Sequence, residues 1–255
     1  MTDLPGLAQY PTTSLTVLAI TAFIAGLARG FSGFGSALIF MPLAASVIGA
    51  QLAAPLLLLV DFSTSLTLIP GAVKRADKRD VGIIAIGALI GIPLGTVMLT
   101  LADPLTVRWI IALLIMAMLA LLMSGWRFHG RTTVPLTVSV GFVGGFFGGL
   151  AQTGGPPVVL YWLRDQAVAA VTRANLILYL AVGDVLMVIS YFFGGLWTST
   201  LIGLAVITGP LFGFGLWAGS KLFGKASDTT FRRTCYALIA ISAILGLPLF
   251  DGFFK

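Results

Sequence analysis

Arg29 is the only charged residue in an apolar run that extends from about residue 15 to about residue 48. Its guanidinium group presents a planar set of N–H donors that suits the oxygens of a sulfonate, a sulfite or a carboxylate. Ionisable side chains inside such runs are functional by default. We therefore predict that Arg29 contacts an anion. The alternative is a structural ion pair with Asp61 or Asp184, which lie inside other apolar runs.

A second glycine-rich stretch resembles the one around Arg29. Residues 145–157 read Gly-Phe-Phe-Gly-Gly-Leu-Ala-Gln-Thr-Gly-Gly-Pro-Pro, and Gly26, Gly30 and Gly35 each have a glycine 119 positions later. Helices that begin after the two stretches would turn the positive ends of their dipoles toward an anion. The alternative for the polar side chains here is that they satisfy the opened backbone. The further candidates for substrate binding are Ser32, Gly33, Ser36, Gln152, Thr153 and Gly154.

Asp61 and Asp184 lie one in each half of the chain, in the runs at about 52–71 and 172–193. An embedded carboxyl group can exchange a proton or pair with an arginine, and the sequence leaves both roles open for both residues: proton coupling or ion pairing. Arg173 and Asn175 begin the second of these runs and are weaker candidates for substrate binding. An arginine at this place is more often an anchor at the cytoplasmic end of a helix.

The composition places these residues in a membrane protein. Of the 255 residues, 58% are hydrophobic and 9% are charged, and the mean hydropathy is +1.05. These values exclude an ordinary soluble domain. The net charge of +6 lies in short loops between apolar runs, so it reflects orientation in a membrane and not nucleic-acid binding. The single Cys235 excludes an intrachain disulfide and a cysteine metal cluster, and we expect no cofactor and no metal.

Two of the apolar runs, at about 15–48 and 134–163, are too long for one crossing. A continuous helix through their glycines would lose about 1 kcal/mol per glycine relative to alanine, so we expect the backbone to open there. Splitting each run gives arms of about 13 residues, or about 20 Å, against a hydrocarbon core of about 30 Å. We therefore predict two hairpins that turn near the middle of the bilayer, with protein or water covering each turn.

The chain is predicted to be an all-α polytopic membrane protein with two inverted repeats, residues 1–130 and 131–255. Each repeat is a broken-helix hairpin followed by three transmembrane helices, and three crossings per repeat invert the second copy. The spanning runs have about the 20 residues that a crossing needs. They lie at about 52–71, 81–101 and 105–126 in the first repeat, and at 172–193, 198–220 and 234–250 in the second.

The basic residues test this topology. With both termini outside, twelve of the fifteen lysines and arginines fall on one face, which the positive-inside rule makes cytoplasmic. Arg108 and Lys255 fall on the opposite face, and Arg29 is embedded. The twelve are Lys74, Arg75, Lys78, Arg79, Arg127, Arg131, Arg164, Arg173, Lys221, Lys225, Arg232 and Arg233.

The two glycine-rich stretches, at residues 26–36 and 144–157, resemble the motifs that begin each half of the TauE/SafE family of sulfite and sulfonate exporters. Each half of that family later carries a Gly-x-x-x-Gly like Gly91 to Gly95 here. The likeness covers nearly the whole chain. The family's commoner second motif is richer in glycine than Ala151-Gln-Thr153. The resemblance implies a membrane transporter for sulfite or an organosulfonate.

The sequence as a whole predicts a secondary transporter that moves a small sulfur-containing anion outward across the bacterial inner membrane. The anion would lie between the two hairpins near the midplane. An anion channel, or an importer of another small carboxylate or sulfur anion, is the alternative. An enzyme is not expected, because the chain has no glutamate, no known catalytic motif and one histidine, His129, in a loop. Expected partners are a small anionic substrate, membrane lipid and a second copy in a homodimer.

Overall fold

The structure is a computed structural model that describes residues 7, 9–32, 35–66, 69–125, 132–162, 169–222 and 228–253. Every regular element in these ranges is a helix, which confirms the all-α fold class. The first half contains α1 Thr12–Ser32, α2 Ser36–Ile48, α3 Ala50–Ser65, α4 Ile69–Arg75, α5 Lys78–Leu101 and α6 Pro104–Met123. The second half contains α7 Val134–Ala151, α8 Gly155–Trp162, α9 Ala169–Phe193, α10 Ser199–Leu222, α11 Asp228–Leu245 and a short 3-10 helix, Pro248–Phe253.

Six of these helices are long and apolar enough to cross a membrane: α1, α5, α6, α7, α9 and α10. Their outer faces expose large apolar side chains, such as Ile86, Leu89 and Ile90 on α5 and Phe214 on α10. Such faces suit lipid and not water. The protein is therefore a multi-pass membrane protein.

The two hairpins form at the predicted turns, but the prediction of equal short arms is wrong. In the first hairpin α1 has 21 residues and α2 has 13, and in the second α7 has 18 residues and α8 has 8. At 1.5 Å per residue, α1 is about 30 Å long, enough for a full crossing. The helix continues through Gly26 and Gly30 and ends close to Gly35, whose φ of 93° is left-handed.

The glycines inside α1 and α7 are explained by close helix packing. A Cβ at Gly26 or Gly30 would overlap the backbone of α10, and a Cβ at Gly145 or Gly149 would overlap the backbone of α5. Small residues let two helices approach closely in a membrane, and this contact offsets the cost of glycine in a helix. The first helix of each half thus packs on a long helix of the other half. The opposite orientation of the two halves stays a prediction.

The predicted span at 52–71 is also different in the structure. The helix α3 ends at Ser65 and α4 begins at Ile69, and residues 67–68 lie outside the described residues. Pro70 is the second residue of α4. Proline lacks an N–H donor and is suited to the first turn of a new helix, which accounts for a helix start within the apolar run.

The short second arms, α2 and α8, are surrounded by protein. Ten of the thirteen residues of α2 and seven of the eight residues of α8 are buried. Pro42 cannot donate to the Leu38 carbonyl one turn earlier. The Ser242 hydroxyl of α11 is shared between that carbonyl, at 3.2 Å, and the Ile239 carbonyl of its own helix, at 2.9 Å. Gly246, just after α11, lies against Pro42. The helix α11 therefore supplies a polar contact to the first hairpin from the other half of the chain.

The end of α8 is fixed by a hydrogen bond to the other half of the chain. The Trp162 indole Nε1 donates to Asp80 Oδ2 at 2.6 Å, near the start of α5. A few residues away, Asn175 Oδ1 accepts the backbone N–H of Asp77 at 2.7 Å. These contacts join the start of α5 to both α8 and α9.

We expect Trp162→Phe to lower the free energy of unfolding by about 1.5–3 kcal/mol, because a hydrogen bond to a charged group is lost and its acceptor is part-buried. Thermal unfolding of the purified protein in detergent measures this. The matched control is Trp197→Phe, whose Nε1 donates to the neutral Val188 carbonyl at 3.3 Å. The control should lose only about 0.5–1.5 kcal/mol. Equal losses in the two variants would contradict the special role of the Trp162 contact.

Candidate anion-binding site

A cavity of about 40 Å³ lies between the turns of the two hairpins. This space suits a few water molecules or a small ion. Its wall is built from both halves of the chain and contains several glycines, among them Gly35, Gly144, Gly148 and Gly154. The polar and charged side chains in the wall are Arg29, Ser36, Asp61, Gln152, Thr153, Tyr179 and Asp184.

Arg29, in the last turn of α1, forms an ion pair with Asp61 of α3. Its Nε donates to Asp61 Oδ1 at 3.0 Å, and the two side chains are 10% and 19% exposed. The Ser36 hydroxyl donates to the other carboxylate oxygen at 3.4 Å. The ion pair that the sequence left open as an alternative therefore forms with Asp61. Since Arg29 also lines the cavity, an anion there would compete with the Asp61 carboxylate for the guanidinium group.

The start of α2 faces the same cavity. Ser36, Ala37 and Leu38 are the first residues of the helix and all line the wall. The Leu38 N–H donates to the Gly35 carbonyl at 3.1 Å, and Gly35, at the N-cap, has no side chain to accept the N–H groups of Ser36 and Ala37. The positive end of the α2 dipole therefore lies beside Arg29, and both favour negative charge.

The second turn is held in place by its own polar side chains. Gln152 has a left-handed backbone, φ 60°, and its Nε2 donates to the Tyr191 hydroxyl at 3.4 Å. The Tyr191 hydroxyl donates in turn to the Gly149 carbonyl at 3.0 Å. The Thr153 hydroxyl donates to the Phe147 carbonyl at 3.2 Å. The Tyr191 and Thr153 hydroxyls thus satisfy backbone carbonyls near the turn, and Gln152 and Thr153 also line the cavity.

The helix α9 brings two further polar groups to the wall, Tyr179 and Asp184. Asp184 is 9% exposed and Tyr179 is 3% exposed. Among the described residues neither side chain makes a hydrogen bond. Tyr179 is held by edge-on packing against Trp162, with ring centroids 6.1 Å apart. The hydroxyl and the carboxyl group therefore remain available to a ligand.

Some predicted candidates are not in the wall. Asn175 accepts the Asp77 N–H near the start of α9, and the exposed Arg173 lies two residues before it; neither lines the cavity. The side chain of Ser32 and all of Gly33 lie outside the described residues, as does His129. No group of three or more His, Cys, Asp or Glu side chains that could hold a metal occurs in the described part of the chain.

Sequence reasoning missed Tyr179 and Gly148. In an apolar helix a tyrosine is ordinarily a packing residue, and a glycine in a glycine-rich stretch is ordinarily a helix contact. The signal that could have found Tyr179 is helical spacing, because Tyr179, Gly183 and Met187 share one face of α9 beside Asp184. Gly148 could have been found from its position 119 residues after Arg29.

The comparison with known proteins agrees with the motifs. The family described as "Sulfite exporter TauE/SafE" matches residues 18–245. The protein named "Probable sulfite/organosulfonate exporter TauE" from Cupriavidus necator is 27% identical over 228 residues, which cover 85% of this chain and 88% of that protein. No solved structure matches. The chain therefore belongs to the TauE/SafE family of membrane transporters.

Proposed function

We propose that this protein is a secondary transporter that moves a small sulfur-containing anion, sulfite or an organosulfonate, outward across the bacterial inner membrane. The observation that carries the proposal is the cavity between the two turns, with Arg29 and the start of α2 in its wall. Guanidinium and backbone N–H groups are the donors that bind sulfur oxyanions. The name of the Cupriavidus necator relative supports the class of anion.

In the proposed binding mode, the oxygens of the anion accept hydrogen bonds from the Arg29 guanidinium and from N–H groups of the first turn of α2. The Ser36 and Tyr179 hydroxyl groups complete the donor set from the cavity wall. Asp61 competes for Arg29, so the ion pair holds the guanidinium in place when the anion is absent. Such competition keeps binding weak enough for release, which a transporter requires.

Alternating access would use the two hairpins as the two walls of the site. The helix pairs α1 with α10 and α5 with α7 pack through glycines so closely that each pair moves as one body. Displacement of one pair against the other would open the cavity to one side of the membrane at a time. In the proposed orientation the exposed Lys74 and Arg75 at the end of α4 face the cytoplasm, and both termini lie outside.

The proposal is tested with the purified full chain in lipid vesicles. Vesicles loaded with unlabelled sulfite or ethanesulfonate should take up the labelled anion by saturable counterflow. Flux that does not saturate, together with single-channel current, would favour the anion channel instead. Counterflow that requires a small carboxylate inside the vesicles, and that no sulfur anion supports, would contradict the proposed substrate class.

We expect Tyr179→Phe to weaken the binding of ethanesulfonate about tenfold, because one hydrogen bond to a charged group is worth at least about 1.5 kcal/mol. The ring, and with it the packing on Trp162, is kept. Calorimetric titration measures the dissociation constant. The control is Tyr236→Phe, whose hydroxyl donates to the Leu122 carbonyl at 3.5 Å and does not line the cavity. An unchanged dissociation constant in Tyr179→Phe would remove Tyr179 from the site.

A further inference from the structure

The described residues bring more negative than positive groups to the cavity. Arg29 faces it with a guanidinium group, and Asp61 and Asp184 each face it with a carboxyl group. Arg29 and Asp61 are paired at 3.0 Å, which leaves Asp184 as the third ionisable group. Asp184 is more than nine-tenths buried, and no side chain or backbone donor of the described residues bonds to it. An ionised carboxylate is strongly disfavoured in such a place.

The two halves of the chain differ at this point. Asp184 lies 123 positions after Asp61, close to the 119 positions that separate the matching glycines of the two turns. The residue 119 positions after Arg29 is Gly148, which also lines the cavity. The second half therefore keeps the carboxyl group of the first half and lacks its guanidinium. Arg29 is the one cationic side chain among the described residues of the wall, and it is paired with Asp61, so we look for the group that neutralises Asp184 outside these residues.

We propose that the anion enters this cavity together with one proton, and that the Asp184 carboxyl group holds that proton. The inference rests on the proposed function, because it concerns the same cavity. An incoming anion adds negative charge beside Asp61 and Asp184, and protonation of Asp184 removes one of the two carboxylate charges that repel it. Asp61 keeps its place as the counterion of Arg29. The two embedded acids thus have different roles.

The other charged and titratable groups near Asp184 do not offer the same role. Arg29 from α1 and Asp61 from α3 act on its charge across the cavity. On its own helix Tyr179 lies in the wall, and the Tyr191 hydroxyl is bonded to the Gly149 carbonyl. The described residues that α2, α5, α7 and α8 bring to the wall are not titratable. The helix α4, which carries Lys74 and Arg75, packs on α9, and neither of these residues lines the cavity.

A proton fits the site better than a metal cation does. A metal ion needs several oxygen or nitrogen ligands arranged around it. In the described part of the chain no group of three or more His, Cys, Asp or Glu side chains could supply them. A proton needs one carboxyl group, and Asp184 supplies it.

The test measures proton uptake on anion binding by the purified full chain. Ethanesulfonate is added in weak buffer with a pH-indicator dye, because its own charge does not change with pH. In a series of buffers of rising pH, the wild type should take up about one proton per bound anion once the pH is high enough to ionise Asp184 in the empty cavity. Above that pH its dissociation constant should rise by up to about tenfold per pH unit. Asp184→Asn should bind the anion with no proton uptake and with a dissociation constant independent of pH.

The control variant is Asp103→Asn, which changes an exposed acid at the N-terminus of α6 and should keep the uptake of one proton. Infrared difference spectra of the wild type give a measurement that needs no variant, since addition of the anion should increase the carbonyl band of a protonated carboxylic acid. Anion binding without proton uptake by the wild type at every pH of the series, or unchanged uptake in Asp184→Asn, would overturn the inference.

The same titration separates this inference from the proposed function. Proton uptake with nitrate but no binding of sulfite or any sulfonate would contradict the proposed substrate class and support the role of Asp184. Binding of ethanesulfonate without proton uptake at any pH would support the proposed substrate class and contradict the role of Asp184. If binding depended on the sodium concentration at constant pH, with no proton uptake, a metal cation and not a proton would accompany the anion. This result would overturn the inference.

Discussion

Arg29→Ala is expected to reduce the affinity for sulfite and ethanesulfonate by a factor on the order of a hundred or more, because it removes the only positive side chain among the described residues of the wall. The same change should lower the free energy of unfolding by about 3–5 kcal/mol, because Asp61 loses its partner in a part-buried place. Calorimetric titration and thermal unfolding in detergent measure the two effects.

A double variant separates the role of Arg29 in binding from its role in the ion pair. Arg29→Ala combined with Asp61→Asn removes both charges, so most of the lost stability should return while the anion still fails to bind. Arg29→Lys keeps the charge but loses the planar set of donors, and it should bind more weakly than the wild type. Full binding by the stable double variant would show that Arg29 is a structural residue and would move the site elsewhere.

Gly91→Leu is expected to destabilise the protein by about 3 kcal/mol or more. A Cβ at Gly91 would overlap the backbone of Phe142 and Phe146 in α7, and a backbone cannot move aside as a flexible side chain can. Because α5 and α7 both contribute to the cavity wall, anion binding should be lost as well.

The matched control is Gly82→Leu on the same helix. Gly82 is exposed, and a Cβ there would meet nothing within 4 Å. This variant replaces a poor helix former by a good one and should be neutral or slightly stabilising. Size-exclusion chromatography and thermal unfolding in detergent compare the two. A Gly91→Leu protein as stable as the control would contradict the close packing of α5 and α7.

Hydrophobicity and glycine spacing were enough to predict a helical membrane protein and the positions of its two turns. Gly35 and Gln152, at those turns, have left-handed backbones. The lengths of the hairpin helices were not predictable in the same way. The free-energy cost of Gly26 and Gly30 in a helix can be read from the sequence, but the packing contact that offsets this cost is made with α10, far along the chain. A helix propensity cannot reveal a partner that is distant in sequence.

Much of the site was predicted because embedded polar residues in an apolar chain are few. Arg29, Ser36, Asp61, Thr153 and Asp184 meet in one cavity. The choice of Asp61 over Asp184 as the partner of Arg29 depends on the packing of α1 on its neighbours, which the sequence does not reveal. Tyr179 was missed because its position on the inner face of α9 depends on how that helix is rotated.

The contact between Ser242 and the Leu38 carbonyl joins two segments that the ribosome makes at different times. It makes α2 before α11, so the Ser242 hydroxyl is absent when α2 first enters the bilayer. Because polar backbone groups in a bilayer need partners within the protein, we expect a chain that is truncated before α11 to be less stable than the full chain and more readily degraded by proteases.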